Sequence, residues 1–441
     1  MIIPDKRKQF WDNEAYALVG SIETSSFAPL TRIEYVSEED GSVIDLSGKF
    51  VGPLKSNEKS NSVIISEKSC EGDTCRELRG EGYQRYIKLV DSVVKTAEVS
   101  RLVSRKFIEQ CAFDYIIETH KNQCAAIGFS DHMLNKVEGA VANYKIYFSV
   151  DNLEIFPPTT IGKATLALPE RDILVEDATK NDKNSVELFF KKYGSKLFIS
   201  HTVRAEKGKA VELAFVECSL SIDVLKICCD TMDDPLSKIS FDIDSRIAEN
   251  SHSQTLVRNV DQTNDLTFKD YRIPNFHVVT ADYRRRLNAR NLEFFSSFVS
   301  HLPEERSELQ NLIVNAIRRF AKALTTVNLN LRIVELFTIM ESLIVPNSQA
   351  NILDSLTKYA SKLVYSNRVE RQQLIALIKS MYGLRSAYVH HAKEPEINVE
   401  QLRQLQVAVQ SLIGRLIEKS RTHTLKESIL KEIDDAILDA Y

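Results

Sequence analysis

Leu374-Ile375-Ala376-Leu377-Ile378-Lys379-Ser380-Met381-Tyr382-Gly383-Leu384-Arg385-Ser386-Ala387-Tyr388-Val389-His390-His391 is the stretch on which the reading of this chain turns. At about 100° per residue, Leu374, Leu377, Ile378, Met381, Leu384 and Tyr388 fall on one stripe, the pattern of an amphipathic helix. Asn367, followed three residues later by Glu370, is a capping signal that starts this helix at Arg368; it is expected to end near His390. Arg385 lies inside the stripe, about 40° from Met381. A buried charge left unpaired costs several kcal/mol, so the guanidinium must meet a carboxylate such as Glu335 or Glu341, a second subunit, or an anion.

The same helical character extends through the C-terminal part. Of 14 glycines only Gly383 and Gly414 follow residue 280, and of 11 prolines only Pro303, Pro346 and Pro395. Both residues are disfavoured inside helices, so 281–441 reads as an all-α bundle. Helices are expected near Asp282 to Leu302, Glu304 to Leu324, Leu331 to Ile344, Asn351 to Val364, Arg368 to His390, Val399 to Ser420 and Leu425 to Ala440. Asn398 followed by Gln401 is a second capping signal.

Residues 1–280 read differently, as a β-rich α+β region. Strands are expected at Ala15 to Ile22, Thr31 to Val36, Ser62 to Ile65, Ala140 to Val150, Ala164 to Leu168, Val186 to Phe190, Lys196 to Val203 and Ala210 to Ile222. The clearest alternation is in Lys145 to Val150 and Glu212 to Glu217. Ala205 to Lys209 reads as a hairpin connection between two such runs. Between Tyr83 and Glu118 the period changes, and Tyr86, Leu89, Val90, Val93, Val94 and Ala97 argue one or two helices. Residues 223–275 show little periodicity and read as the approach to a linker. The fold class expected is therefore α+β and multidomain, divided near residue 280.

Charge divides at the same place. The 441 residues carry 57 Lys and Arg against 61 Asp and Glu, a net of -4. Residues 281–441 hold 22 against 18, leaving 35 against 43 in the front part. A front near -8 thus precedes a back near +4, which excludes a chain coated throughout by nucleic acid but allows its helical part to meet it.

Several chemistries lack their residues. Walker A, H-E-x-x-H and G-x-S-x-G are missing, and Gly80-Glu81-Gly82, with no third glycine in place, reads as a loop. Charges near the N-terminus stand where a signal peptide needs its apolar core, and no apolar run reaches the length of a spanning helix. Seven scattered cysteines suit a reducing compartment. A soluble cytoplasmic protein without a membrane partner is expected. Cys70 and Cys75 have no second Cys or His pair at finger spacing, so they read as loop cysteines. No metal and no cofactor is expected. His120, His132 and His201 are scattered singly and read as structural or surface residues, with His132 in a loop.

One Arg and one His suffice in principle to cleave RNA without a metal. Histidine can take a proton from a ribose 2'-hydroxyl or give one to a leaving oxygen near neutral pH. Arginine offers a rigid fork of donors to a phosphate and to the charge that grows on it. Arg385 and His390, however, stand about 140° apart on an ideal helix. Either the helix unwinds near Val389, or the two meet a common ligand through a cleft shared with a second subunit. An internal pair with Glu341 in a monomer speaks for a structural arginine instead.

Arg385-Ser386-Ala387-Tyr388-Val389-His390 resembles the Arg-x4-6-His motif of HEPN domains, and its context is similar to the Apea-like HEPN family. That context comprises Arg332-Ile333-Val334-Glu335-Leu336-Phe337-Thr338-Ile339-Met340-Glu341-Ser342-Leu343, a helix of the Leu356 to Leu363 type, and Tyr382 ahead of the motif. It covers residues 310–420. The resemblance implies a metal-independent endoribonuclease in which two motifs form one composite site in a homodimer, leaving a 2',3'-cyclic phosphate. It implies His390 as acid and base, Arg385 as phosphate clamp, and Ser386, Tyr388 and Glu341 as supporting residues. Relatives carry Gly after the motif histidine; here His391 also satisfies the spacing, so either histidine can act. Anti-phage defence or toxin activity, with residues 1–280 sensing a trigger, is what such an arrangement implies. The alternative is a non-catalytic module that binds RNA or protein. Tyr283-Arg284-Arg285-Arg286, Arg290 and Arg318-Arg319 are candidate phosphate contacts.

Overall fold

The computed structural model describes residues 3–26, 34–36, 43–45, 62–65, 74–151, 153, 158–171, 183–229, 235–236, 241–243, 252–259, 266–272, 289–301, 303–346, 351–391 and 393–439. It is a mixed α+β fold with helices at the C-terminal end. Two compact units form. One comprises Met1–Tyr144 with Val203–Leu213 and Asn259–Asp261, the other Lys145–Thr202, Ala214–Arg258 and Gln262–Tyr441. The break expected at 280 lies outside the described residues, as do Cys70 and the run Tyr283 to Arg286.

The first unit opens with helix α1 (Asp5–Val19). Strands β1 (Glu23–Ser26), β4 (Ser62–Ile65) and β5 (Thr74–Arg79) follow in a small sheet ordered β1-β5-β4, and β2 (Glu34–Val36) pairs antiparallel with β3 (Val43–Asp45). Helices α2 (Gly80–Val94), α3 (Ala97–Ser100), α4 (Arg105–Asn122) and α5 (Phe129–Ala140) complete it. Trp11, Leu18, Leu89, Ile116 and Phe129 share one core. Asp12 caps α5, its carboxylate accepting from Ser130 N at 2.7 Å and Ser130 Oγ at 3.0 Å. A side chain at Gly128 would stand 2.8 Å from that carboxylate, which explains the glycine.

A sheet lying mainly in the second unit contains β6 (Ala142–Asp151), β7 (Thr159–Ile161), β8 (Ala164–Ala167), β9 (Leu197–Ala205), β10 (Asp242–Ile243), β11 (His252–Asn259) and β12 (Leu266–Arg272), ordered β12-β11-β6-β9-β8-β7 with β10 beside β6. β8 runs antiparallel to β9, with Leu166 opposite Ile199. Among the described residues, α6 (Lys183–Tyr193) and α7 (Lys207–Ile227) interrupt these strands. Phe215 of α7 meets Phe148 of β6 edge to face at 5.5 Å, and Ser221 Oγ donates to Ile161 O at 2.7 Å.

The bundle of the second unit contains α8 (Ala289–Val299), α9 (Glu308–Thr325), α10 (Leu329–Ile344), α11 (Ile352–Val364), α12 (Arg368–His391), α13 (Val399–Lys419) and α14 (Lys426–Leu438). Its caps follow from sequence. Ser307 and Gln310 form a capping box on α9, and Asn328, Asn351 and Asn398 accept from backbone N–H groups at the starts of α10, α11 and α13. Ile317, Phe320, Phe337, Met340, Leu356, Ile378 and Val409 are buried in it.

Several expectations for the front part are overturned. Ala15 to Val19 belongs to α1, whose buried Trp11, Ala15 and Leu18 have helical spacing. Val186 to Phe190 lies in α6, and Ala210 to Ile222 in α7. The alternation of Glu212 to Glu217 misleads because the buried Ala210, Ala214 and Cys218 recur every four residues. Ala205 to Lys209 joins a strand to a helix: Glu206 accepts from the backbone N–H of Gly208 at 2.6 Å and of Lys209 at 3.1 Å, capping α7. Gly80-Glu81-Gly82 is no loop but the first turn of α2, with β5 directly ahead of it. His132 lies buried in α5, not in a loop. Strands β10 to β12 occupy the segment read as near-linker, while α1 to α7 give the front part, among the described residues, more helix than a β-rich region would carry.

Candidate functional site

Helix α12 carries the candidate motif, and its start is fixed by Asn367, whose Oδ1 accepts from Val369 N at 2.8 Å. Of its 24 residues only Leu374, Ile378 and Met381 are buried, so burial anchors the first half and stops before the motif. Leu377, Leu384 and Tyr388, members of the same stripe, are only partly covered, and Val389 is 46% exposed. Gly383 is exposed, and a side chain there would meet open space.

Arg385 turns inward. Its Nη2 lies 3.4 Å from Glu341 Oε1 of α10, and both side chains are about four-fifths covered. Glu341 is thus the acidic partner among the two the sequence offered. The contact is close enough for the charges to attract but is not aligned as a hydrogen bond: Arg385 Nε and Glu341 Oε1 are both buried without a hydrogen-bond partner. Tyr382, one turn earlier, completes the setting. Its ring lies 5.3 Å from the guanidinium carbon, and its hydroxyl accepts from Arg385 Nη1 at 3.5 Å. Phe337 of α10 holds that ring in turn, edge to face at 5.3 Å. By sequence Tyr382 is only a neighbour of the motif; its i, i+3 spacing from Arg385 is the signal for contact.

His390 and His391 end the helix and are exposed, while Ser386 and Tyr388 are half-buried. α12 continues unbroken to His391, so no unwinding near Val389 brings His390 round to Arg385. Within one chain the guanidinium faces α10 and the histidines face solvent. Family models, curated proteins and solved structures offer no match to this chain.

The remaining candidates are dispersed. Arg319 is exposed on α9 and Arg318 half-buried beside it. Arg332 is buried and spends its donors on Thr326 O, Pro235 O and Gln406 Oε1, a structural role. Burial lowers its pKa. His201 sits on β9 with Nδ1 2.9 Å from Lys163 O, and burial lowers its pKa; burial does the same to His132. Burial pushes the Cys111 thiol up to about 12 and Cys218 well above its usual range, so neither is a thiolate nucleophile near neutral pH. Among the described residues no group of three or more His, Cys, Asp or Glu is placed to hold a metal ion, and no helix is long and apolar enough to cross a membrane.

Proposed function

We propose that this chain is a metal-independent endoribonuclease of the HEPN type that acts as a homodimer. The observation that supports it is the division of labour along α12: a guanidinium with an unused Nε–H, then two exposed histidines on other faces of one unbroken helix whose last turns are poorly covered. Such a helix needs a second copy both to cover its apolar stripe and to bring a histidine to the guanidinium. In the composite site His390 or His391 takes the proton of the ribose 2'-hydroxyl. The 2'-oxygen attacks phosphorus, and the bond to the 5'-oxygen breaks as a protonated histidine supplies that oxygen's proton. Arg385 binds the non-bridging oxygens, where charge accumulates. The products are a 2',3'-cyclic phosphate and a 5'-hydroxyl. Residues 1–280 act as the sensor that releases the activity in a cytoplasmic defence or toxin role.

The internal pair between Arg385 and Glu341 favours a structural arginine, and with it a second reading, in which the bundle binds RNA or protein without cutting. RNA cleavage in EDTA separates the two. Loss on Arg385→Ala and His390→Ala, with fold and dimer retained, supports the nuclease; binding without cleavage, insensitive to His390, supports the module.

A further inference from the structure

Glu341 touches two environments. One of its oxygens faces Arg385, and the residue also lines an open cleft of about 620 Å³ together with Asn311, Asn315, Ser342 and Lys426. The Arg385 side of the pair is incomplete, because a 3.4 Å contact without hydrogen-bond alignment leaves Nε–H without an acceptor. A phosphate accepts two parallel N–H bonds from one guanidinium edge, a stronger arrangement than the pair already present. A carboxylate abandoned in a closed core would oppose the exchange, since an unpaired buried charge is strongly destabilising. The cleft removes that obstacle: it is open to solvent and lined by polar side chains, so the released carboxylate can be solvated there even beside Glu308 and Glu427.

We infer that Glu341 is a latch that holds Arg385 inside its own chain until an RNA phosphate takes the guanidinium over, the cleft solvating the carboxylate that is left. The inference rests on the nuclease reading and supplies its regulation: the resting protein keeps its phosphate clamp withdrawn. Tyr382 supports both states, since its ring faces the guanidinium without competing for its charge.

The test uses the full chain in three forms, wild type, Glu341→Gln and Glu341→Asp. Two readouts are taken: cleavage of single-stranded RNA in EDTA, and the rate at which phenylglyoxal modifies Arg385, followed by peptide mass spectrometry. The glutamine keeps the shape and removes the charge; the aspartate keeps the charge and shortens the reach. Circular dichroism establishes that each variant is folded. The latch predicts that both variants raise both rates, by about fivefold or more for the glutamine, the lower end of ordinary coupling between sites. Cleavage by wild type with no gain in either folded variant overturns the latch and leaves the nuclease reading standing. Faster modification of Arg385 with no cleavage by any form overturns the nuclease reading, and the latch with it.

Discussion

Arg385 Nη2 and Glu341 Oε1 stand 3.4 Å apart and join α12 to α10 through a charged contact in which neither Arg385 Nε nor Glu341 Oε1 makes a hydrogen bond. A pair of this kind ties two helices together while leaving capacity on each partner.

Its contribution to stability should be modest, because both side chains retain some exposure, 17% for Arg385 and 23% for Glu341. Arg385→Ala is expected to lower stability by only about 1 kcal/mol or less, because the cleft beside Glu341 lets water reach the carboxylate left unpaired. Adding Glu341→Gln should return part of that loss. Urea titrations of the two single variants and the double variant measure the coupling; strictly additive losses would show that the pair contributes nothing.

Gly383 is the one glycine of α12, and open space surrounds the position a side chain would take. Gly383→Ala should therefore stabilise the helix by about 1 kcal/mol, the ordinary difference between these residues in a helix interior. A thermal melt measures it. Loss of stability instead would mean that this face is packed in the folded protein.

His132 and His201 both have pKa values lowered by burial. The unfolded chain protonates these histidines below about pH 6.5, where the folded chain still holds them neutral, so stability falls as pH drops through that window. His132→Leu should flatten part of this dependence in denaturation midpoints followed from pH 7.5 to 5. An unchanged profile would assign the acid sensitivity to other groups.

The helical bundle was legible because its signals agree: few Gly and Pro, a 3.6-residue period, and Asn398 and Asn367 at helix starts, where their side chains accept from backbone N–H groups. The front part was not, and the reason lies in short segments. In α7 Leu213 and Phe215, alternating with smaller or charged neighbours, mimic a strand, while the small buried residues Ala210, Ala214 and Cys218 carry the true period. Glu206 capped this helix from a sequence that also suits a turn. At the site, the charge logic reduced the partners of Arg385 to a few and included Glu341. The role of Tyr382 needed the fold, since only α10 and Phe337 fix its ring beside the guanidinium.

Cleavage of RNA by the purified full chain in EDTA, compared with Arg385→Ala, His390→Ala and His391→Ala and paired with light scattering for oligomeric state, tests the central claim most directly. The expected result is a dimer that leaves 2',3'-cyclic phosphate ends, with cleavage falling about 100-fold or more on Arg385→Ala and on loss of the acting histidine, while fold and dimer persist. A folded monomer that never cuts RNA, or variants that cut as fast as the wild type, would contradict it.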